Sequence, residues 1–98
     1  MIYYPDEKID TNSWANTPLG LLGYNTNPKR LQLIIDQLFK NATSRINISG
    51  TKIIPVPLSR ALDGSNTDDY CERVEPSPTG GAKMAKLIFD ELKRYDVI

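Results

Sequence analysis

No histidine occurs among the 98 residues. That excludes a Ser-His-Asp or Cys-His site built from this chain alone, because both use imidazole as the base. Cysteine is nearly absent too. With Cys71 as its one thiol, the chain forms no internal disulfide and has too few of the usual ligands for zinc. No metal or other cofactor is expected, and a reducing, intracellular compartment is. Net charge is also missing, with 12 basic residues against 12 acidic ones. Bulk electrostatics therefore gives no case for nucleic acid or for a membrane surface as partner. No apolar run approaches the roughly 20 residues of a membrane-spanning helix. The opening "MIYYPDEK" lacks the basic region and long apolar core of a secretion signal. The length fits a single soluble domain over residues 1–98, with a core of small margin.

What is there reads as strand, helix, strand, helix. "MIYY" at Met1–Tyr4 is aromatic and β-branched, which favours a strand ending at Pro5. Residues 5–27 are polar and turn-rich, long enough to hold short docked pieces anchored by Trp14, Leu19, Leu21, Leu22 and Tyr24. Asn27-Pro28 is a helix start, with Asn27 as cap and Pro28 in the first turn. Leu31, Ile34, Ile35, Leu38 and Ala42 follow on one stripe. Lys52 to Pro57, "KIIPVP", reads as a strand covered on both faces. Pro55 and Pro57 each remove a ladder donor and push it to a sheet edge. Ser77-Pro78 repeats the cap-plus-proline start, with Ser77 as cap. Ala82, Ala85, Ile88, Phe89 and Leu92 form the stripe of a last helix. The crossover between the two strands suits a right-handed parallel unit. The fold class expected is α/β, with two parallel strands. Two strands are few for a stable sheet, so the pattern reads as part of a larger one.

The chemistry-bearing candidates lie around "CERVEPSPTGG", Cys71 to Gly81. Glu72 and Glu75 invite an acid/base pair, against the plainer reading of charges near a helix N-terminus. Asp63, Asp68 and Asp69 with Ser65, Asn66 and Thr67 invite calcium, but the spacing departs from the twelve-residue calcium loop, with Val74 at its last position. Ser77 to Gly81 invites an anion, yet lacks the nucleotide-loop pattern, so capping is preferred. Asn41-Ala42-Thr43 and Asn47-Ile48-Ser49 match the glycosylation pattern by coincidence. Cys71 has no histidine to activate it and is read as inert.

The second half resembles the C-terminal end of the SGNH (GDSL-type) hydrolase family. There a last parallel strand leads into Asp-x-x-His-Pro, then Ser-x-x-Gly and a final helix. Here "KIIPVPL" leads to "ERVEPSPTGG". Glu72 falls at the family's catalytic Asp and Glu75 at its catalytic His, while Pro76, Ser77 and Gly80 match as they stand. The resemblance implies the C-terminal part of a flavodoxin-like sheet, to which this chain supplies two strands and two helices as one partial domain over residues 1–98. The family's Gly-Asp-Ser block and oxyanion-hole residues have no counterpart, and a carboxylate of ordinary pKa is a poor base for serine. The expected function is therefore a non-catalytic interaction or structural subunit. Another protein chain, or a second copy, would cover Met1–Tyr4. Two alternatives stand beside it. One is half of an ester hydrolase whose serine lies on another chain. The other is an unrelated small α/β binding module.

Overall fold

The computed structural model describes residues 14–24 and 26–98. Helix α1, Asn16–Leu21, is a short turn of chain with Pro18 inside its first turn. Helix α2 spans Pro28–Asn41 and begins where the Asn-Pro signal places it, with Asn27 at the N-cap and Pro28 at the first helical position. The Asn27 side chain makes no capping bond; its carbonyl accepts from the Arg30 N–H instead, at 3.1 Å. Single 3₁₀ turns follow at Thr43–Arg45, Leu58–Arg60 and Thr67–Asp69. Strands β1, Tyr70–Glu72, and β2, Glu75–Pro76, pair antiparallel as a hairpin that leads into helix α3, Pro78–Arg94.

The expected parallel α/β sheet is not what forms. The sheet among the described residues is this two-stranded antiparallel hairpin, and it arises from a segment read as loop. Local chemistry explains it. Tyr70 sits opposite Pro76 and Glu72 opposite Glu75, so Arg73 and Val74 form the tip, while Cys71 is the extra residue of a bulge. The strand expected at Lys52–Pro57 joins no ladder among the described residues. Its two prolines supply no donors, and no neighbouring strand stands beside it there. The strand expected at Met1–Tyr4, and the partner expected to cover it, lie outside the described residues.

Packing is correspondingly open. Ala15 and Leu19 of the α1 region meet Leu31 and Ile35 of α2, with Tyr24 and the hairpin-tip residue Val74 packed against them. Leu62 is buried separately. The α2 stripe is only half used: Leu31 and Ile35 are buried, whereas Leu38 is 60 % exposed. In α3 the covered residues are Gly80, Gly81, Met84, Leu87, Glu91 and Leu92; Leu92 of the expected stripe is thus covered, whereas Ala82, Ala85, Ile88 and Phe89 stay exposed. The reason lies at the helix start, where Gly80 presses against the 3₁₀ turn at Thr67–Asp69 and sets the rotation of everything after it. The radius of gyration is 15.1 Å. A compact chain of this length would have about 12–13 Å.

Candidate functional site

The segment that carried the candidates is built around Asp69. Its side chain is fully buried and takes the Lys83 ammonium on both carboxylate oxygens, at 2.7 and 2.9 Å. Oδ2 also accepts the Asp63 N–H at 3.2 Å. The Asp69 carbonyl accepts from the Ser77 N–H at 2.9 Å. This carbonyl is where α3 comes closest: a Cβ on Gly80 would stand 2.1 Å from it. Glycine is thus required here by space rather than by φ. Ser77 closes the arrangement. Its Oγ donates to the Asp68 carbonyl and accepts the Gly80 N–H at 3.1 Å, which makes it a working N-cap.

Asp63 is also taken up. Asp63 Oδ1 accepts from the N–H and the hydroxyl of Ser65, at 2.9 and 2.6 Å. Those bonds, with desolvation opposing and the Lys83 charge helping, hold its carboxyl below the usual value. Asn66 Oδ1 accepts the Asp68 N–H at 3.1 Å and caps its 3₁₀ turn. Ser65, Asn66, Asp68 and Asp69 therefore form turns and an ion pair. Among the described residues no group of three metal-ligating side chains is found. Tyr70, next along, has its hydroxyl pushed up to about 12 by burial, with the charges of Asp69 and Asp63 adding to the shift.

Glu72 and Glu75 do come together, as cross-strand partners in the hairpin. Residues opposite one another share a face, so two like charges confront each other. Their surroundings differ. Glu75 is exposed and accepts from the Trp14 indole Nε1 at 3.1 Å, tying the hairpin to the chain two residues before α1. Glu72 is half-buried, and its Oε2 is shielded from solvent with no hydrogen-bond partner among the described residues. Neither faces a nucleophile held by a base. Ser77 is occupied by capping, and Cys71 is an exposed free thiol.

The anion-cradle reading of Ser77 to Gly81 meets the same fate. The Gly80 N–H goes to Ser77 Oγ and the Gly81 N–H to the Ser77 carbonyl, at 3.1 and 2.7 Å. Sequence reasoning missed two residues of this region. Asp69 was one acidic residue among several in a polar loop. Arg73 lies at the hairpin tip with its side chain fully buried, and its Nη1 donates to Asn16 Oδ1 at 3.2 Å. Only the hairpin, which places it under α1, distinguishes it from a surface arginine.

Beside the hairpin an open apolar groove of about 410 Å³ runs between Trp14, Pro18, Leu22, Tyr24, Leu31 and Val74. No helix among the described residues is long and apolar enough to cross a membrane. Comparison with known proteins leaves the assignment to the chain's own chemistry: no protein-family model, no curated protein and no solved structure matches it.

Proposed function

We propose that this chain is a non-catalytic, SGNH hydrolase-like subunit that works by interaction, covering its open apolar surface within an assembly. The observation that carries the reading is the balance of burial. Among the described residues the buried apolar side chains are Ala15, Leu19, Leu31, Ile35 and Leu62. Against them stand exposed Leu21, Leu22, Leu33, Leu38, Ile46, Ile48 and Phe89, with more on the last turns. Scattered exposed apolar residues are ordinary, but among the described residues far more of the large ones are exposed than fully buried.

The resemblance adds a reason for the loop to be retired from chemistry. Ser77 and Gly80, which match the family pattern, do mechanical work as cap and close-approach residue. Glu75, at the family's histidine position, holds an indole on the surface. Two measurements test the reading. The purified chain should turn over no activated ester, and it should bind an apolar surface dye strongly while folded. Hydrolysis that Glu75→Gln abolishes overturns the first part. A folded, dye-silent monomer overturns the second.

A further inference from the structure

Helix α3 turns Gly80, Met84, Leu87 and Glu91 toward the rest of the chain and leaves an apolar face outside. Ala82, Ala85, Ile88 and Phe89 are exposed along it, and Leu92 at its edge is half-buried. The positions 82, 85, 89 and 92 alternate steps of three and four, which makes one continuous seam on a helix. Size is graded along that seam. Its first half carries only the methyl groups of Ala82 and Ala85, and its second half carries Phe89 and Leu92, with Ile88 beside them. The Lys93 ammonium lies 4.9 Å from the centre of the Phe89 ring, over one face, and the ring stays 49 % exposed.

A face graded from small to large is the shape complement of its own reverse. In an antiparallel pair about a two-fold axis level with Leu87, Phe89 of one copy lies over Ala85 of the other and Leu92 over Ala82, large on small at each step. Ile88 meets Ile88 beside the axis. Parallel pairing would instead stack Phe89 on Phe89 and leave a gap between the alanines. The charges favour the same arrangement. Lys86 and Asp90 sit on one flank of the seam, joined at 2.5 Å, and both are exposed. Antiparallel pairing brings that flank against itself, with Lys86 about 3 Å along the axis from Asp90 of the copy. Cations and anions then meet in equal number. Parallel pairing would set the same flank against the Ile88 side.

We propose that α3 pairs antiparallel with α3 of a second copy of this chain through Ala82, Ala85, Ile88, Phe89 and Leu92. This pairing rests on the subunit reading and gives that reading its partner. The chain's own opening residues, "MIYY", offer four large side chains and no small one to stand opposite Phe89. A different protein would have to reproduce the reversed gradient and the flank charges, which a second copy carries by symmetry.

Light scattering over a range of concentrations, with far-UV circular dichroism as the check on folding, tests this by exchanging sizes. The wild type should approach twice its 11.0 kDa mass as concentration rises. Ala85→Phe and Phe89→Ala each alter an exposed side chain, and each should weaken the dimer by about tenfold or more. The double variant puts small opposite large again, because position 85 faces position 89 of the copy, and should return the dissociation constant to near the wild-type value. Ile88→Cys with Cys71→Ser, oxidised by a glutathione disulfide buffer, should crosslink to the dimer, which keeps the test open if a size variant fails to fold. A wild-type monomer at all concentrations overturns the pairing, whether residues 1–13 or another protein covers the face. So does a dimer that Ala85→Phe tightens, as undirected apolar association would, a double variant no better than the singles, or an Ile88→Cys chain that does not crosslink. A monomer that still binds the apolar dye sinks the helix pairing while leaving the subunit reading intact.

Discussion

Replacing Gly80 with alanine puts a methyl carbon 2.1 Å from the Asp69 carbonyl oxygen and 3.1 Å from its carbonyl carbon. Both obstacles are backbone, so no rotamer change relieves them. α3 must shift by about 1 Å to reach ordinary contact. That shift pulls on the Ser77 N–H bond to the same carbonyl and on the Lys83 pair to the Asp69 side chain. Overpacking of this kind costs about 1–3 kcal/mol. Loss of the Ser77 bond adds about 1 kcal/mol. Alanine's higher helix propensity returns up to about 1 kcal/mol. The net destabilisation should be about 1–3 kcal/mol, which lowers Tm by about 5–20 °C in a domain of this size. The control lies one residue on: a Cβ at Gly81 meets nothing within 4 Å. Gly81→Ala should be neutral, or more stable by up to about 1 kcal/mol from propensity alone. Thermal and urea unfolding followed by far-UV circular dichroism read both. Gly80→Ala as stable as Gly81→Ala would refute the close approach and the helix rotation that follows from it.

Lys83→Met leaves the buried Asp69 carboxylate without its cation and should cost about 3 kcal/mol in urea unfolding, more than Asp69→Asn, which frees a lysine already 42 % exposed to turn to water; the reverse order sinks the argument. Ser77→Ala should cost about 1 kcal/mol through the lost cap, with Ser77→Asp recovering most of it, again by urea titration. The hydroxyl of Tyr70 is raised from 10.0 to about 12, so its stabilisation is present below pH 10 and is lost as pH rises through 12. Tyr70→Phe should flatten that alkaline decline, and phenolate absorbance should show the late titration. Asp36, lowered by hydrogen bonds from Lys40 and then Arg60, acts in the opposite direction. Its contribution is present above 3.8 and fades as pH falls through its lower folded value, so Asp36→Asn should lose stability at neutral pH but not at pH 2.

The elements that local chemistry dictates were legible in the sequence. Asn27-Pro28 and Ser77-Pro78 start helices where their residue types require it, and the hydrophobic spacing after each gives the helix its length. The side a helix buries was less legible. In α3 the apolar stripe through Ala85, Ile88 and Phe89 is the better sequence pattern, yet the face with Gly80, Met84, Leu87 and Glu91 is the one covered. Periodicity describes the helix, whereas rotation is decided by one contact, that of Gly80 with the Asp69 carbonyl. The hairpin stayed hidden for a different reason. Two strands of three and two residues, with a charged pair opposite each other and proline at one end, carry no alternation to read. The Lys52–Pro57 run shows the converse. Its composition is that of a strand, but a strand is a relation between two segments, and among the described residues the second segment is missing.

The Trp14–Glu75 hydrogen bond has an experimental consequence. Trp14 is the chain's one tryptophan and Cys71 its one thiol. The indole is tied to β2, and the thiol lies exposed on β1 of the same hairpin. A dye attached at Cys71 would therefore take excitation energy from Trp14 whenever the hairpin rests against the α1 region, and lose it when they part. The two native side chains form a built-in optical ruler across this contact. Separation there can be timed independently of the helix signal, without introducing either probe by mutation.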